Sequence, residues 1–189
     1  MIRSNAIVLI DCENLTGSPR LEGLGRWAGF GRIELFGREG TMAPWRDAIR
    51  DRGLTIAAET LVADDAPSQD ADQRIARRVD ELIAQPVGGL VVIASNDKGF
   101  AADLARLAQA GLPARQDKDP TEAEILRLVV AEIAGEDGWA GAGGVGDHLR
   151  RRFRLDTRGR LEALARRAGL EIRKNTSGLW MKNSSLSCE

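Results

Sequence analysis

The chain has 189 residues, of which 43% are hydrophobic and 29% are charged, and its formal net charge is −1. This balance is typical of an ordinary globular protein and excludes collagen-like, coiled-coil and wholly disordered chains. The length suits one full domain, or one domain with a small appendage, and it is enough to bury a real hydrophobic core.

The near-zero net charge conceals a difference between two parts of the chain. Residues 1–144 carry 16 basic and 23 acidic side chains, a net charge of −7, whereas residues 145–182 carry 11 basic and 4 acidic ones, a net charge of +7. Such asymmetry suggests two surfaces with different partners, one of them a polyanion. The basic residues are mostly Arg, which suits bidentate phosphate contacts, although Arg richness also follows from genome composition.

Cysteine usage and hydropathy predict a cytoplasmic protein. Cys12 and Cys188 make neither a disulfide framework nor, with the single His148, a zinc site. We find no basic-then-apolar leader, and the longest apolar runs are shorter than the ~20 residues of a membrane helix. We therefore expect no membrane partner, and the sequence leaves open a homo-oligomer.

The first 134 residues alternate between strand and helix patterns. Continuous apolar runs at 6–10 and 90–94 are typical of strands buried on both faces. Weaker strand patterns occupy 32–36, 54–61 and 112–116, and helical patterns occupy 19–27, 44–52, 69–84, 100–110 and 120–134. This alternation predicts an α/β domain at 1–134, with a central parallel sheet covered by helices on both faces.

After Ala134 the pattern changes. Residues 135–144 are rich in Gly and Ala and predict a linker. Helical patterns follow at 147–153 and 157–168, the second with Thr157 as its N-cap and Gly169 just after its end, and then a β-hairpin around the turn at 175–178. Two helices and a hairpin predict a small, basic, winged-helix-like module at 145–182, followed by a tail at 183–189.

Residues 141–146 fit the pattern G-x-G-x-x-G, which in dinucleotide-binding folds directly follows a strand. Here a helix and an acidic turn come before it. We therefore interpret these glycines as part of the junction and expect no nicotinamide cofactor.

Two aspartates follow the two most apolar strands, Asp11 after the first and Asp97 after the run at 90–94. Ligands of open parallel sheets bind beyond the carboxyl ends of the strands, so these carboxylates are expected to share one crevice. On the 69–84 helix, Asp72 lies about 20° from the centre of the apolar stripe, and a carboxylate there is costly unless it is neutralised or ligated. The alternative is structural, since aspartates in such positions also cap helices and favour the helix dipole.

Clustered carboxylates raise one another's pKa unless a cation intervenes, and oxygen ligands suit Mg²⁺ or Mn²⁺. The sequence offers no cysteine suited to catalysis, and its one histidine lies in the basic segment. Metal-assisted hydrolysis is the chemistry that fits these residues best.

Three motifs in residues 5–134 resemble those of NYN domains, a PIN-like group of nucleases that includes LabA-type proteins. They are the first-strand sequence at 10–14 (IDCEN), the helical sequence at 72–75 (DQRI) and the sequence at 95–100 (SNDKGF), which is similar to S-x-D-x-D-F. The resemblance implies a PIN-like three-layer sandwich that hydrolyses RNA with a bound metal.

Carried over residue by residue, the resemblance implies that Asp11, Asp72 and Asp97 are metal ligands. Asn14 would orient an acid or contact the substrate, and Ser95 would support the Asp97 loop. The sequence departs from the motif because Gly99 stands where the family has its second Asp, which puts a two-metal site in doubt. Asp117, just after the fifth strand, could reach the same crevice. The sequence around it is, however, also typical of a turn and the start of a helix.

Residues 137–182 are similar in outline to LOTUS (OST-HTH) modules, small winged helices often linked to RNA. The basic residues expected to contact an RNA backbone are Arg150, Arg151, Arg152, Arg154, Arg166, Arg167, Arg173, Lys174 and Lys182. The alternative is that they form an ordinary solvated face. We expect Trp139 and Trp180 to belong to the core of this module rather than to stack on bases.

The leading hypothesis is therefore a metal-dependent ribonuclease whose basic module binds the RNA backbone. A second hypothesis is a catalytically weak or inactive RNA-binding or adaptor protein, which Gly99 favours. A HAD-type phosphatase ranks low, because that group has D-x-D at the first strand and here the second acid is Glu13.

Overall fold

A computed structural model describes residues 4–15, 19–67, 69–86 and 88–184, so Cys188 and the tail from 185 lie outside the described residues. The chain divides into two compact units. The first contains Arg20–Asp119 together with the N-terminal strand, and the second begins at Pro120. None of the described helices has the length and apolar character needed to cross a membrane.

The first unit is an α/β structure with five parallel strands in the order β3-β2-β1-β4-β5. Its elements are β1 Ser4–Asp11, α1 Pro19–Trp27, β2 Phe30–Gly37, α2 Glu39–Arg50, β3 Ile56–Leu61, α3 Asp70–Ala84, β4 Val91–Ala94, α4 Ala101–Gln109 and β5 Ala114–Asp117. Every strand and helix predicted in this part of the chain is present. The prediction of a central parallel sheet is confirmed.

Helices cover both faces of this sheet, which is the arrangement of a three-layer sandwich. Alternate residues of β1 point to opposite faces, because successive side chains of a strand do so. Val8 and Ile10 pack with the buried residues of α1 and α2, among them Trp27 and Trp45. On the other face, Ile7 and Leu9 pack with residues of α3 and α4, namely Ile75, Val79, Leu82 and Leu107.

Helix α2 begins five residues earlier than the sequence predicts. Pro44, at the predicted start, lies inside the helix. The first turn is instead closed by Arg38, whose carbonyl accepts from the backbone N–H of Met42 at 2.9 Å and from the Thr41 hydroxyl, also at 2.9 Å.

The second unit combines helices with a three-stranded antiparallel sheet in the order β6-β8-β7. Its elements are α5 Glu122–Ile133, β6 Ala140–Gly141, α6 Ala142–Phe153, α7 Leu161–Arg167, β7 Leu170–Asn175 and β8 Gly178–Asn183. The predicted hairpin of β7 and β8 is confirmed. Gly169 has a φ of +69°, the left-handed conformation expected just after a helix.

Three features of the second unit differ from the sequence prediction. The expected linker at 135–144 contains β6 and the first residues of α6, so its glycines from 143 onward are helical. Helix α7 begins at Leu161, because Thr157 forms a preceding turn in which its carbonyl accepts from the N–H of Arg160 at 3.0 Å. Helix α5, predicted within the first domain, belongs to the second unit.

The placement of α5 follows from its apolar side chains. Leu126, Val129 and Val130 are buried among residues of α6, α7 and the hairpin, including Leu149 and Met181. Thr121 and Glu124 begin this helix with reciprocal side-chain-to-backbone hydrogen bonds, a capping box. The structure therefore divides the chain ahead of α5 rather than after it.

Candidate active site

Asp11 lies at the end of β1 and is completely buried, with 0% of its surface exposed. Its Oδ1 accepts from the backbone N–H groups of Glu13 at 3.2 Å and Asn14 at 3.3 Å. Its Oδ2 accepts from Asn14 Nδ2 at 2.6 Å and from the Ser95 hydroxyl at 2.8 Å. The Asn14 side chain thus holds an acid, one of the two roles that the resemblance implied for it.

Asp97 follows β4, the strand paired with β1, and its loop is fixed by hydrogen bonds. The Ser95 hydroxyl accepts from the backbone N–H of Asp97 at 3.1 Å, while Asp97 Oδ1 accepts from the N–H of Gly99 at 2.9 Å. Ser95 therefore connects the two carboxylates, in agreement with the expected support of this loop.

Gln116, which sequence reasoning missed, holds the same loop from β5. Its Nε2 donates to the carbonyl of Ser95 at 2.7 Å and also to the carbonyl of Asp97. Asn96 adds a second connection, because its Nδ2 donates to the Asn14 carbonyl at 2.7 Å and its Oδ1 accepts from the Asp119 N–H at 3.0 Å. Side-chain amides have no sequence pattern that marks this role.

Asp72, in the first turn of α3, lines a crevice together with Asp97. Its Oδ1 is buried and has no hydrogen-bond partner among the described residues. Burial, followed by the negative charges of Asp11, Asp97 and Glu13, raises the pKa of Asp72 to about 6. The charges of Asp11, Asp97 and Glu13 therefore all act on Asp72, but Asp11 is fully buried and is not among the residues that line the crevice.

The crevice also contains groups that the sequence did not single out. It is lined by Gln69, Asp72, Gln73, Ala76, Asp97, Gly99, Phe100 and Asp103. Asp103 lies one helical turn after Gly99, its side chain is 14% exposed, and burial raises its pKa. A Cβ at position 99 would lie 3.5 Å from Asp97 Oδ1, an ordinary van der Waals contact, so the backbone at Gly99 would accept a Cβ beside that carboxylate.

In the described part of the chain, no three Asp, Glu, His or Cys side chains converge closely enough to hold a metal ion as they stand. The oxygen atoms of the crevice nevertheless suit a cation. Asp72 has an unsatisfied buried oxygen beside other carboxylates, and hard divalent cations prefer oxygen ligands. The roles of Asp11, Asp72 and Asp97 as metal ligands stay predictions.

Two other acids near the strand ends have partners of their own. Asp117 accepts from Trp27 Nε1 at 2.8 Å and from Arg115 Nε at 2.8 Å. Burial alone would raise the pKa of Asp117, but these hydrogen bonds hold it below its usual range. Glu13 forms an ion pair with Arg38 at 2.8 Å. The structure thus does not place the Asp117 carboxylate in the crevice.

The nine basic residues predicted to bind RNA all belong to the second unit, where their surroundings differ. Four form ion pairs with acids of the same unit: Arg150, Arg152, Arg166 and Lys174. Arg151, Arg154 and Arg167 are exposed. Exposed ion pairs contribute little to stability, so these side chains can exchange partners at small cost.

Trp139 and Trp180 are only partly buried, so the prediction that they are core residues is wrong. The guanidinium of Arg173 lies over the Trp139 ring at 4.5 Å from its centroid, and the Lys182 ammonium lies at 5.9 Å. Trp180 Nε1 donates to the Ser177 hydroxyl at 3.2 Å. Trp139 therefore forms cation–π contacts with basic side chains of the hairpin.

Comparisons of the chain with protein-family models, with curated proteins and with solved structures found no match.

Proposed function

We propose that the protein is a metal-dependent ribonuclease that hydrolyses RNA phosphodiester bonds at this crevice. One observation carries the proposal: Asp72 and Asp97 line a common crevice at the carboxyl end of a parallel sheet, and Asp72 keeps a buried oxygen without a partner among the described residues. The motifs that resemble NYN domains, and the strand order of the first unit, support the same function.

Mg²⁺ or Mn²⁺ fits the oxygen ligands of the crevice. Asp72 and Asp97 would hold it, with the charge of Asp11 immediately behind them. When bound, the ion would activate a water molecule and stabilise negative charge on the phosphate. The other residues of the site position these acids: Asn14 and Ser95 hold Asp11, and Gln116 holds the backbone of the Asp97 loop.

We propose further that the second unit is a winged-helix-like module, similar to LOTUS modules, that binds the RNA backbone. Its helices α6 and α7 precede the hairpin of β7 and β8, which is the order of elements in a winged helix. The exposed Arg151, Arg154 and Arg167 support this role, because Arg side chains neutralise phosphates and release their counterions.

A non-catalytic RNA-binding protein is the second candidate, and Gly99 favours it. With Gly99 in its lining, the crevice has one carboxylate fewer than the motif that the sequence resembles. A HAD-type phosphatase is disfavoured by the complete burial of Asp11, since a nucleophile must reach its substrate. The ion pair of Glu13 with Arg38 also engages the second acid that such an enzyme needs.

Replacing Asp97 with Asn tests the proposed reaction. The wild type should cleave a labelled single-stranded RNA in Mn²⁺, and Asp97→Asn should lower the rate at least 100-fold. The control is Asp65→Asn, an exposed acid of the loop before α3, which should cleave normally.

Thermal unfolding with and without Mn²⁺ separates the two candidate functions, because a ligand that binds only the folded state raises the melting temperature. Mn²⁺ should stabilise the wild type but not Asp97→Asn. Equal cleavage by Asp97→Asn and the wild type would refute the catalytic assignment. RNA binding without cleavage or Mn²⁺ stabilisation would establish the second candidate.

A further inference from the structure

A second groove lies on the other flank of α3, away from the crevice. Its walls are α3 on one side and β2 and β3 on the other. The groove is lined by Arg32, Glu34, Phe36, Ala58, Thr60, Arg74, Arg77, Arg78 and Glu81. Four guanidinium groups therefore face two carboxylates, although the first 144 residues carry an overall excess of acids.

Two arginines of this groove, Arg32 and Arg78, are held in place by one buried acid. Glu34 is 2% exposed, and it binds Arg78 Nε at 2.8 Å and Arg32 Nη2 at 3.0 Å. Arg78 also pairs with Glu81 at 2.7 Å. A single buried carboxylate therefore positions two guanidinium groups on this side of the groove.

The other two arginines of the groove, Arg74 and Arg77, are less engaged with acids of the described residues. Arg74 binds Asp70 through Nε at 2.7 Å, and its side chain is 34% exposed. Arg77 is exposed at the outer surface of α3. Arginine donors of this kind suit phosphate oxygens.

The wall opposite α3 includes the edge strand β3, whose small residues Ala58 and Thr60 line the groove. Strand β3 is the last strand on its side of the sheet and has β2 as its neighbour. A polymer can therefore enter the groove from the side without displacing any element of the first unit.

Helix α3 connects this groove with the crevice. Gln73 lines the crevice and Arg77 lines the groove, and residues four apart are neighbours on a helix surface. A helix is about 10–12 Å across with its side chains, so a strand that crosses its outer surface reaches from one opening to the other.

We propose that a single-stranded RNA bound in the crevice crosses α3 over Gln73 and Arg77 and places its neighbouring phosphates in this groove. The inference rests on the proposed function, since it takes RNA as the substrate. It assigns RNA-backbone binding to the first unit as well as to the basic second unit. Arg77 and Arg74 make the phosphate contacts, and Glu34 positions Arg78 and Arg32 behind them.

The test is RNA binding by the full-length protein in EDTA, where metal-dependent cleavage cannot occur. Fluorescence anisotropy of a labelled single-stranded RNA is measured over a range of salt concentrations for the wild type, Arg77→Ala and Arg77→Glu. The matched control is Arg50→Glu, an exposed residue of α2, which packs on the opposite face of the sheet. Arg77→Glu and Arg50→Glu change the net charge of the protein by the same amount.

Arg77→Glu should weaken binding about tenfold, and Arg77→Ala should lower the slope of log K against log salt by about 0.7, the loss of one phosphate contact with a single strand. Arg50→Glu should change binding less than twofold. Equal effects of Arg77→Glu and Arg50→Glu would overturn the proposal, and so would an absence of RNA binding by the wild type.

Two parallel measurements complete the design. An oligoglutamate peptide that binds as tightly as RNA, with the same loss in Arg77→Glu, would assign the groove to an acidic protein partner and overturn the proposal. Cleavage by the wild type in Mn²⁺ is recorded separately. If cleavage is absent but the Arg77 effect in EDTA is present, the hydrolase is refuted while the groove is supported.

Discussion

The most informative single change is Asp72→Asn, which removes one negative charge from the crevice and keeps the size of the side chain. In the metal-free protein the Asp72 carboxylate is disfavoured by burial and by the nearby charges of Asp11, Asp97 and Glu13, which raise its pKa from 3.8 to about 6. A raised carboxyl pKa means that the folded state loses stability as the pH rises from about 4 through about 6. The substitution should therefore stabilise the metal-free protein at pH 8.

The size of the gain follows from the pKa of Asp72. A shift of about two units corresponds to about 3 kcal/mol at 1.36 kcal/mol per unit. Because Asp72 lines an open crevice and is only partly buried, solvent screening reduces this value, and we expect about 1 kcal/mol. For a chain of this length that is about 3 °C in melting temperature.

The assay is thermal unfolding in EDTA at pH 8 and at pH 4, with Asp65→Asn as the control for loss of one surface charge. Asp72→Asn should unfold about 3 °C above the control at pH 8 and at the same temperature at pH 4. If the two variants have equal melting temperatures at both pH values, the electrostatic argument for the crevice is wrong. In Mn²⁺ the order should reverse, because Asp65→Asn, with its crevice intact, then gains ligand stabilisation that Asp72→Asn lacks.

Three further outcomes are expected. A truncation after Asp119 should stay monodisperse in size-exclusion chromatography, whereas a truncation after Ala134 should aggregate, because it exposes the buried face of α5. Gly169→Ala should lower the free energy of unfolding of the second unit by about 1 kcal/mol in urea titrations, since φ is +69° there. In a Cys188→Ser background, Cys12 should react with Ellman's reagent only at the rate of unfolding, because burial raises the pKa of its thiol; rapid labelling would contradict this.

The approach of Asp11 and Asp97 could be predicted because it depends on topology alone. Strands as apolar as β1 and β4 are central in a parallel sheet, and their carboxyl ends lie at the same edge. The apolar stripe of α3 could equally be predicted from the helical spacing of its apolar residues. Ile75, Val79 and Leu82 are buried as expected. Asp72 lies near that stripe but reaches the crevice, because the start of α3 is near the end of the sheet where the crevice opens.

The remaining wrong predictions concern residues that could pack against either of two parts of the protein. The pattern of α5 specifies an apolar face, but it cannot specify whether that face packs on the sheet or on α6 and α7. Neighbouring residues of β5 point to opposite faces, so only the structure decides that Gln116 faces the Asp97 loop and Asp117 faces Trp27. The position of Trp139 was predicted wrongly because hydrophobicity does not reveal that Arg173, on β7, covers its ring.

The complete burial of Asp11 has a consequence for how the crevice behaves in salt. Surface charges attract distant ions only within a Debye length of about 8 Å at physiological ionic strength, and added salt weakens them further. Neither water nor mobile ions reach Asp11, so the electric field that it projects into the crevice is shielded far less. The crevice should therefore retain its attraction for a small cation at ionic strengths that release a polyanion from the arginines.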